Sequence, residues 1–277
     1  MQMQMLHIFR NTPLGRETLL QTSYFCSQTG ASPVIYVPEN LKFLMYFEND
    51  VVQIDLDKSY LNNPETAKAR AVNVIESMGL ATPRFIEPKH FTASTLPDIP
   101  VNFEFMCCPR SISDLSSKIG LGHIGPRVRR IVKSATFPVL IPSMLFKPFT
   151  SIAVLFGGSH NAMRALRLGL RIQSFSGLPL DVFTQADDKR SQDDFRGILA
   201  DAGLETQMDK NVRKWYFFDK SRFQDNLYEI SHDALIVLGS YGHGLVKELL
   251  FGSTMEMVQS VMTNSMLIVG HQYRAGV

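Results

Sequence analysis

The stretch ALIVLGSYGHGLVKELLFGS, Ala234 to Ser253, decides how this chain is read. Five apolar residues run into Gly239, and Gly242, Gly252 and Ser253 follow in the spacing Gly-x2-Gly-x9-Gly-Ser. A short apolar run without polar alternation is the pattern of a strand buried on both faces, as in a parallel sheet. Glycine supplies about 7% of residues in ordinary proteins, so three placed glycines and a Ser or Thr arise by chance in about one such chain in a hundred. In an open α/β sheet, ligands lie beyond the carboxyl ends of the strands, where Gly239 falls. Glycines there let the backbone come close to phosphate oxygens. Gly252-Ser253-Thr254 then opens a helix whose free N–H groups favour an anion. The competing reading is structural: Gly239 and Gly242 serve a turn, and Ser253 with Glu256 forms a capping box. For Ser253 the two roles are compatible.

Working outward, the second half alternates strands with helices, the order of a parallel sheet. SIAVLF (151–156), LPLDVFT (178–184), KWYFF (214–218), ALIVLG and SMLIVG (265–270) read as strands. Helices are expected over 162–174, 191–203, 221–231 and 254–262, the third with Phe223, Leu227 and Ile230 on one face. The first half runs through the same order less regularly, and IGPRVRRIVKSATFPVLIP (124–142) lies over FGSTMEMVQSVMTNSMLIV (251–269) at a constant offset of 127 residues. That register predicts a duplication, with domains at 1–146 and 147–277. KFLMYFEND and VVQIDLD have no counterpart in the second half. Val52, Ile54 and Leu56 alternate with Gln53, Asp55 and Asp57, which predicts a β-hairpin inserted in the first domain.

Composition narrows the function classes. The 277 residues are 45% hydrophobic and 19% charged, enough apolar material for two cores. A net charge of +2 argues against nucleic acid as the main partner. No apolar stretch approaches the roughly 18 residues of a membrane span, and the start MQMQMLHIFRNTPLGRE has no secretory pattern. These features give a cytoplasmic expectation. Cys26, Cys107 and Cys108 have no metal spacing, and the adjacent Cys107 and Cys108 read as core. Arg127, Arg129, Arg130 and Lys133 read as a solvated helix face. The aromatics from Trp215 to Phe218 read as strand core. No nucleophile–base or carboxylate pair is placed for catalysis, which predicts a binding protein with hydrolysis of ATP slow or absent.

Together these motifs resemble the universal stress protein (UspA) family in its ATP-binding class. The resemblance covers the second domain in its order of elements and the first more loosely. It implies two tandem, doubly wound, five-stranded parallel sheets of the Rossmann-like kind shared with adenine nucleotide alpha hydrolases. It implies ATP or a related nucleotide as ligand, with Mg2+ as its companion ion, in a regulatory stress-response role. By carry-over, Gly239, Gly242 and Gly252 approach ribose and phosphates, Ser253 and Thr254 hold phosphate oxygens, His243 reaches toward phosphate, and Leu238 lies near the sugar. The family also implies an intrachain pseudo-dimer of the two domains, their fifth strands meeting, and allows a homodimer.

Departures accompany the resemblance. After its first strand the family carries an Asp before Gly-Ser, and here that position is Gly157. In the first domain Gly125 is followed by Pro126, which has no N–H to offer, so that domain is expected to hold no nucleotide site of the family type. Two other readings remain. One is a nucleotide-free interaction protein. The other is an ATP pyrophosphatase-like enzyme, whose Ser-Gly-Gly-x-Asp-Ser loop matches FGGSHN only at its glycines.

Overall fold

Two helices of equal length show how the sequence sets the architecture. Thr12 accepts the backbone N–H of Gly15 at 3.1 Å, Pro13 takes the first helical position, and Gly30 closes the helix at φ 69°. Ser159 accepts the N–H of Ala162 at 3.2 Å, and Gly177 closes its helix at φ 67°. A hydroxyl cap at one end and a left-handed glycine at the other bound each 17-residue helix. The computed structural model describes residues 2–61, 63–87, 96–110, 112, 124–185, 190–218, 223–240 and 263–274. They fall into two units, Met1–Pro148 with Gln272–Arg274, and Phe149–His271.

In the first unit β1 (Gln4–Ile8), α1 (Pro13–Thr29) and β2 (Ser32–Tyr36) lead to a hairpin, β3 (Lys42–Phe47) and β4 (Asp50–Asp55). A 3-10 turn (Lys58–Tyr60), α2 (Pro64–Ser77), β5 (Arg84–Phe85), β6 (Asp98–Ile99), β7 (Phe105–Cys107), α3 (Pro126–Ser134) and β8 (Val139–Ile141) follow. The main sheet is parallel, in the order β8-β7-β1-β2-β5. Phe9, Leu19, Ile35, Ala71 and Ile75 join the sheet to α1 and α2 in one apolar cluster. The expected hairpin is present: β3 and β4 pair antiparallel from Lys42–Asp55 to Phe47–Asp50, and β6 adds a third, parallel strand. Val52 and Ile54 are buried while Val51 and Gln53 are exposed, as the alternation required. Phe43 meets Tyr36 edge-on at 5.3 Å, so the small sheet covers the face of the main sheet opposite α1 and α2.

In the second unit β9 (Ser151–Leu155), α4 (His160–Ser176), β10 (Leu180–Gln185), α5 (Gln192–Asp201), α6 (Glu205–Asn211), β11 (Val212–Phe218), α7 (Phe223–Leu227), β12 (Ala234–Gly239) and β13 (Met266–Val269) build a parallel sheet in the order β11-β10-β9-β12-β13. The two strand orders are the same. Each is the doubly wound α/β arrangement expected, with the first strand flanked by the second and fourth.

Four expectations need correction or stand aside. The helix expected over 221–231 is shorter, because α7 ends at Leu227, though Leu227 and Ile230 are buried as foreseen. Helix α6 had no periodic signal in its seven residues. Trp215 to Phe218 are half-buried on the edge strand β11, not enclosed in the core. The basic face of α3 is not simply solvated: Arg130 grips Asp50 of the hairpin at 2.6 and 3.0 Å, and Arg127 pairs with Asp55. The helix expected over 254–262 lies outside the described residues. Cys107 and Cys108 are buried free thiols, as read, and so is Cys26.

Candidate functional site

The carboxyl end of the second sheet is assembled by three chain segments. Strand β9 delivers Phe156, Gly157, Gly158 and the cap Ser159; β10 delivers Thr184; β12 delivers Gly239 and Ser240. Strand β9 lies between β10 and β12, so the strand order reverses between β9 and β12, which is where an open α/β sheet forms its crevice. Gly239 is the last residue of β12, and a Cβ there would lie 2.5 Å from the backbone of Asn161. Its lack of a side chain therefore lets β12 and the first turn of α4 come together, whatever else it does. Asn161 tightens the same junction, donating from its side chain to the carbonyl of Ser240 at 2.6 Å. Ser240 is fully buried, its N–H bonds the carbonyl of Val269 at 2.7 Å, and its Oγ has no partner among the described residues.

Gly157 has another character. It is half-buried, and a Cβ built on it would meet nothing within 4 Å. Among the described residues, that space lies where the resemblance puts a carboxylate. The carbonyl of Gly157 accepts from Arg190 at 3.1 Å, and that guanidinium lies 4.9 Å above the ring of Phe195. Below it, Phe156, Phe195, Trp215 and Phe217 form an aromatic cluster at centroid distances from 5.3 to 6.2 Å. Thr184 links the layers, donating to the carbonyl of Phe156 at 2.9 Å and accepting the Trp215 indole N–H at 2.9 Å.

Of the residues singled out in the sequence, the structure brings Gly157, Leu238 and Gly239 to this crevice. Leu238 is fully buried between Leu155 and Ile268, so it can offer a ligand only its backbone. Gly242, His243, Gly252, Ser253 and Thr254 lie outside the described residues. Arg190, Asn161 and Thr184 were missed. Arg190 had no motif around it, whereas Asn161, two residues after the cap Ser159, sat in a predictable first turn.

The corresponding end of the first unit is built differently. Gly15 lets α1 approach the chain leaving β1, since a Cβ there would sit 1.6 Å from the carbonyl of Arg10. Helix α3 begins on Gly125 and Pro126 with no side-chain cap, and Gly125 donates to the carbonyl of Arg110 at 2.7 Å. Burial lowers the Arg110 pKa to about 10.

Structural comparison identifies this architecture. A protein of Archaeoglobus fulgidus solved as a universal stress protein superposes with a TM-score of 0.63, over 96% of this chain and 98% of its own, at 18% identity. The fold is that of the universal stress proteins. A functionally unknown protein of Pseudomonas aeruginosa shares it at a TM-score of 0.56 and 9% identity, over 96% of this chain and 92% of its own. In sequence, the chain is similar to a universal stress protein of Synechocystis, 22% identical over 218 residues, which span 75% of this chain and 73% of that one. No family model matches the chain. Likeness to universal stress proteins thus holds in sequence and in fold. Among the described residues, no group of three or more His, Cys, Asp or Glu side chains is placed to hold a metal, and no helix is long and apolar enough to cross a membrane.

Proposed function

We propose that the protein is a cytoplasmic universal stress protein whose second unit binds ATP or a related nucleotide, with Mg2+, in a regulatory role. The observation that carries the reading is the Gly239-x2-Gly242-x9-Gly252-Ser253 spacing directly behind β12, at the strand where an α/β sheet opens its crevice. Open space at Gly157 and the Arg190 guanidinium beside it support an anionic ligand at that mouth. Backbone N–H groups and an arginine suit phosphate oxygens. In this reading the first unit, with Pro126 in place of a donor, holds no nucleotide site of the family type. Turnover of ATP is slow or absent.

One observation favours the reading without a nucleotide. The packing of Gly239 on Asn161 accounts for that glycine by itself. The experiment that separates the two is mass spectrometry of small molecules released on denaturing the purified protein, with calorimetric titration of ATP. A nucleotide released, or ATP bound at about one per chain, supports the proposal. No nucleotide and no heat of binding removes it and leaves an interaction protein.

A further inference from the structure

The amino end of the second unit's sheet, opposite the crevice, holds a cavity of about 250 Å³. Asp181 and Arg213, at the starts of β10 and β11, line it with Ala153, Phe183, Tyr228 and Glu229. Its rim is fixed by hydrogen bonds. Asp233 accepts from Thr150 at 2.5 Å and from Ser231, and Asn264 donates to the carbonyls of Ser231 and Ala234 at 2.9 and 2.8 Å.

The positive group of this cavity is placed by an irregularity in the sheet. Leu180 faces Val212 but Asp181 faces Lys214, so Arg213 is an extra residue in β11. Strict alternation would send Arg213 and Lys214 to opposite faces, and a bulge re-aims one of them. Here both reach the face that carries Asp181 and Phe183. Arg213 bonds Asp181, and Lys214 Nζ stands 4.1 Å from the centre of the Tyr216 ring, which stacks on Phe183 at 4.7 Å. Asp181 is buried and occupies only one edge of the guanidinium: Nε donates to Oδ1 at 3.0 Å, and Nη2 donates to Oδ2. The other edge, Nη1 with the second proton of Nη2, bonds no described residue, and the Arg213 side chain is 57% exposed. That edge is a second fork of the kind that matches a carboxylate. Because Asp181 already holds the guanidinium, little side-chain freedom is left to lose when a ligand arrives. Arg213 and Lys214 together outnumber Asp181, so this end of the cavity has positive charge to spare. Tyr228 supplies the apolar counterpart, a ring 61% exposed, with Ala153 and Ile230 also in the lining.

We propose that this cavity binds a small aromatic carboxylate, with its carboxylate on the free edge of Arg213 and its ring against Tyr228. The volume falls below the roughly 300 to 1,000 Å³ of sites for drug-sized ligands and suits a single ring with a short acid arm. Glu229 pairs with no described cation and offers a partner to an ammonium group, so the same chemistry can come as a plain aryl acid or as an aromatic amino acid. The site lies at the other end of the sheet from the glycine loop and does not depend on a nucleotide there.

The test is an NMR titration of the full chain with 3-phenylpropionate, followed at the backbone amides of Asp181, Arg213 and Tyr216. The dissociation constant should be about 1 mM or lower. Arg213→Lys keeps a charge beside Asp181 but removes the fork, and should weaken binding at least tenfold. Tyr228→Ala removes an exposed ring, leaves the ion pair untouched, and should weaken binding at least threefold. If Arg213→Lys does not fold, Tyr228→Ala decides. No shift at these amides with about 10 mM probe, or an affinity unchanged in either variant, overturns the proposal. Phenethylamine, the same ring with an ammonium in place of the carboxylate, should bind at least tenfold more weakly, and equal binding overturns the proposal as well. Phenylalanine carries both groups. If it binds no tighter than phenylpropionate, the ligand is an aryl acid. If it binds tighter, the ligand is an amino acid, and Glu229→Gln should remove the gain.

Discussion

The two units share a strand order and a capped first helix, yet their carboxyl ends solve opposite problems. In the second unit the strand ends carry Gly157, Gly158 and Gly239, and the Arg190 guanidinium bonds the Gly157 carbonyl and lies over the Phe195 ring. In the first, Arg10 and Arg127 meet aspartates of the inserted hairpin. One fold thus furnishes its strand ends in two different ways. Fold alone does not assign a ligand; what is grafted on the strand ends does.

The largest expected difference between the units concerns acid. His7 is fully buried, its Nδ1 bonded to Thr22 Oγ1 at 2.8 Å, and burial lowers its pKa from 6.5 to about 3. The neutral ring is what the folded unit accepts. Stability from this group is therefore complete above pH 6.5 and is lost as pH falls from 6.5 toward 3, by at most on the order of 5 kcal/mol. Asp50 adds to the trend: its bonds to Arg130 lower it from 3.8 to about 2, so its contribution is lost as pH falls between those values. The first unit should therefore unfold before the second in an acid titration. Trp215 is the single tryptophan and reports the second unit, while far-UV circular dichroism reports both. Ellipticity should fall before Trp215 emission changes, and His7→Gln should narrow the gap. Coincident transitions would erase this contrast.

Next in size is Gly239→Ala. The new Cβ would lie 2.5 Å from the Asn161 backbone, so helix and strand must part, at a cost of roughly 2 kcal/mol. Urea unfolding followed at Trp215 measures it, and an unchanged midpoint would mean the junction yields freely. Gly242→Val tests the ligand loop instead. Nucleotide affinity should fall at least tenfold, about 1.4 kcal/mol, with stoichiometry in the wild type near one per chain. Two equivalent sites in the unaltered protein would show that the first unit holds one as well. The smallest effect should be a matched pair: Thr12→Ala and Ser159→Ala each remove one helix cap, for about 1 kcal/mol apiece. Unequal losses would separate helices that look alike.

Much of this was legible in the sequence, for definite reasons. Uninterrupted apolar runs are local signals, so β9, β12 and β13 could be read directly, and α4 was expected over 162–174. The hairpin was legible because Val52, Ile54 and Leu56 alternate with polar neighbours. What escaped was nonlocal. Arg130 and Asp50 are 80 positions apart, and no periodicity announces that a helix face will be met by a hairpin. Arg190 became part of a site only when the chain leaving β9 came beneath it. Half-burial of Trp215 to Phe218 depended on β11 being an edge, a property of sheet order and not of the strand's own residues. The glycine motif was readable as a ligand loop, but only coordinates could reveal the tight junction at Gly239.

The three sulfhydryls lead to a last consequence. Oxidants attack the thiolate, and burial raises the pKa of Cys26 and Cys108 and pushes that of Cys107 up to about 12. At neutral pH only about one Cys107 in 100,000 would carry the reactive form, even before access is considered. The three thiols can thus pass through an episode of peroxide without acquiring a covalent mark while the chain stays folded. Their chemistry is a record of unfolding, not of oxidation.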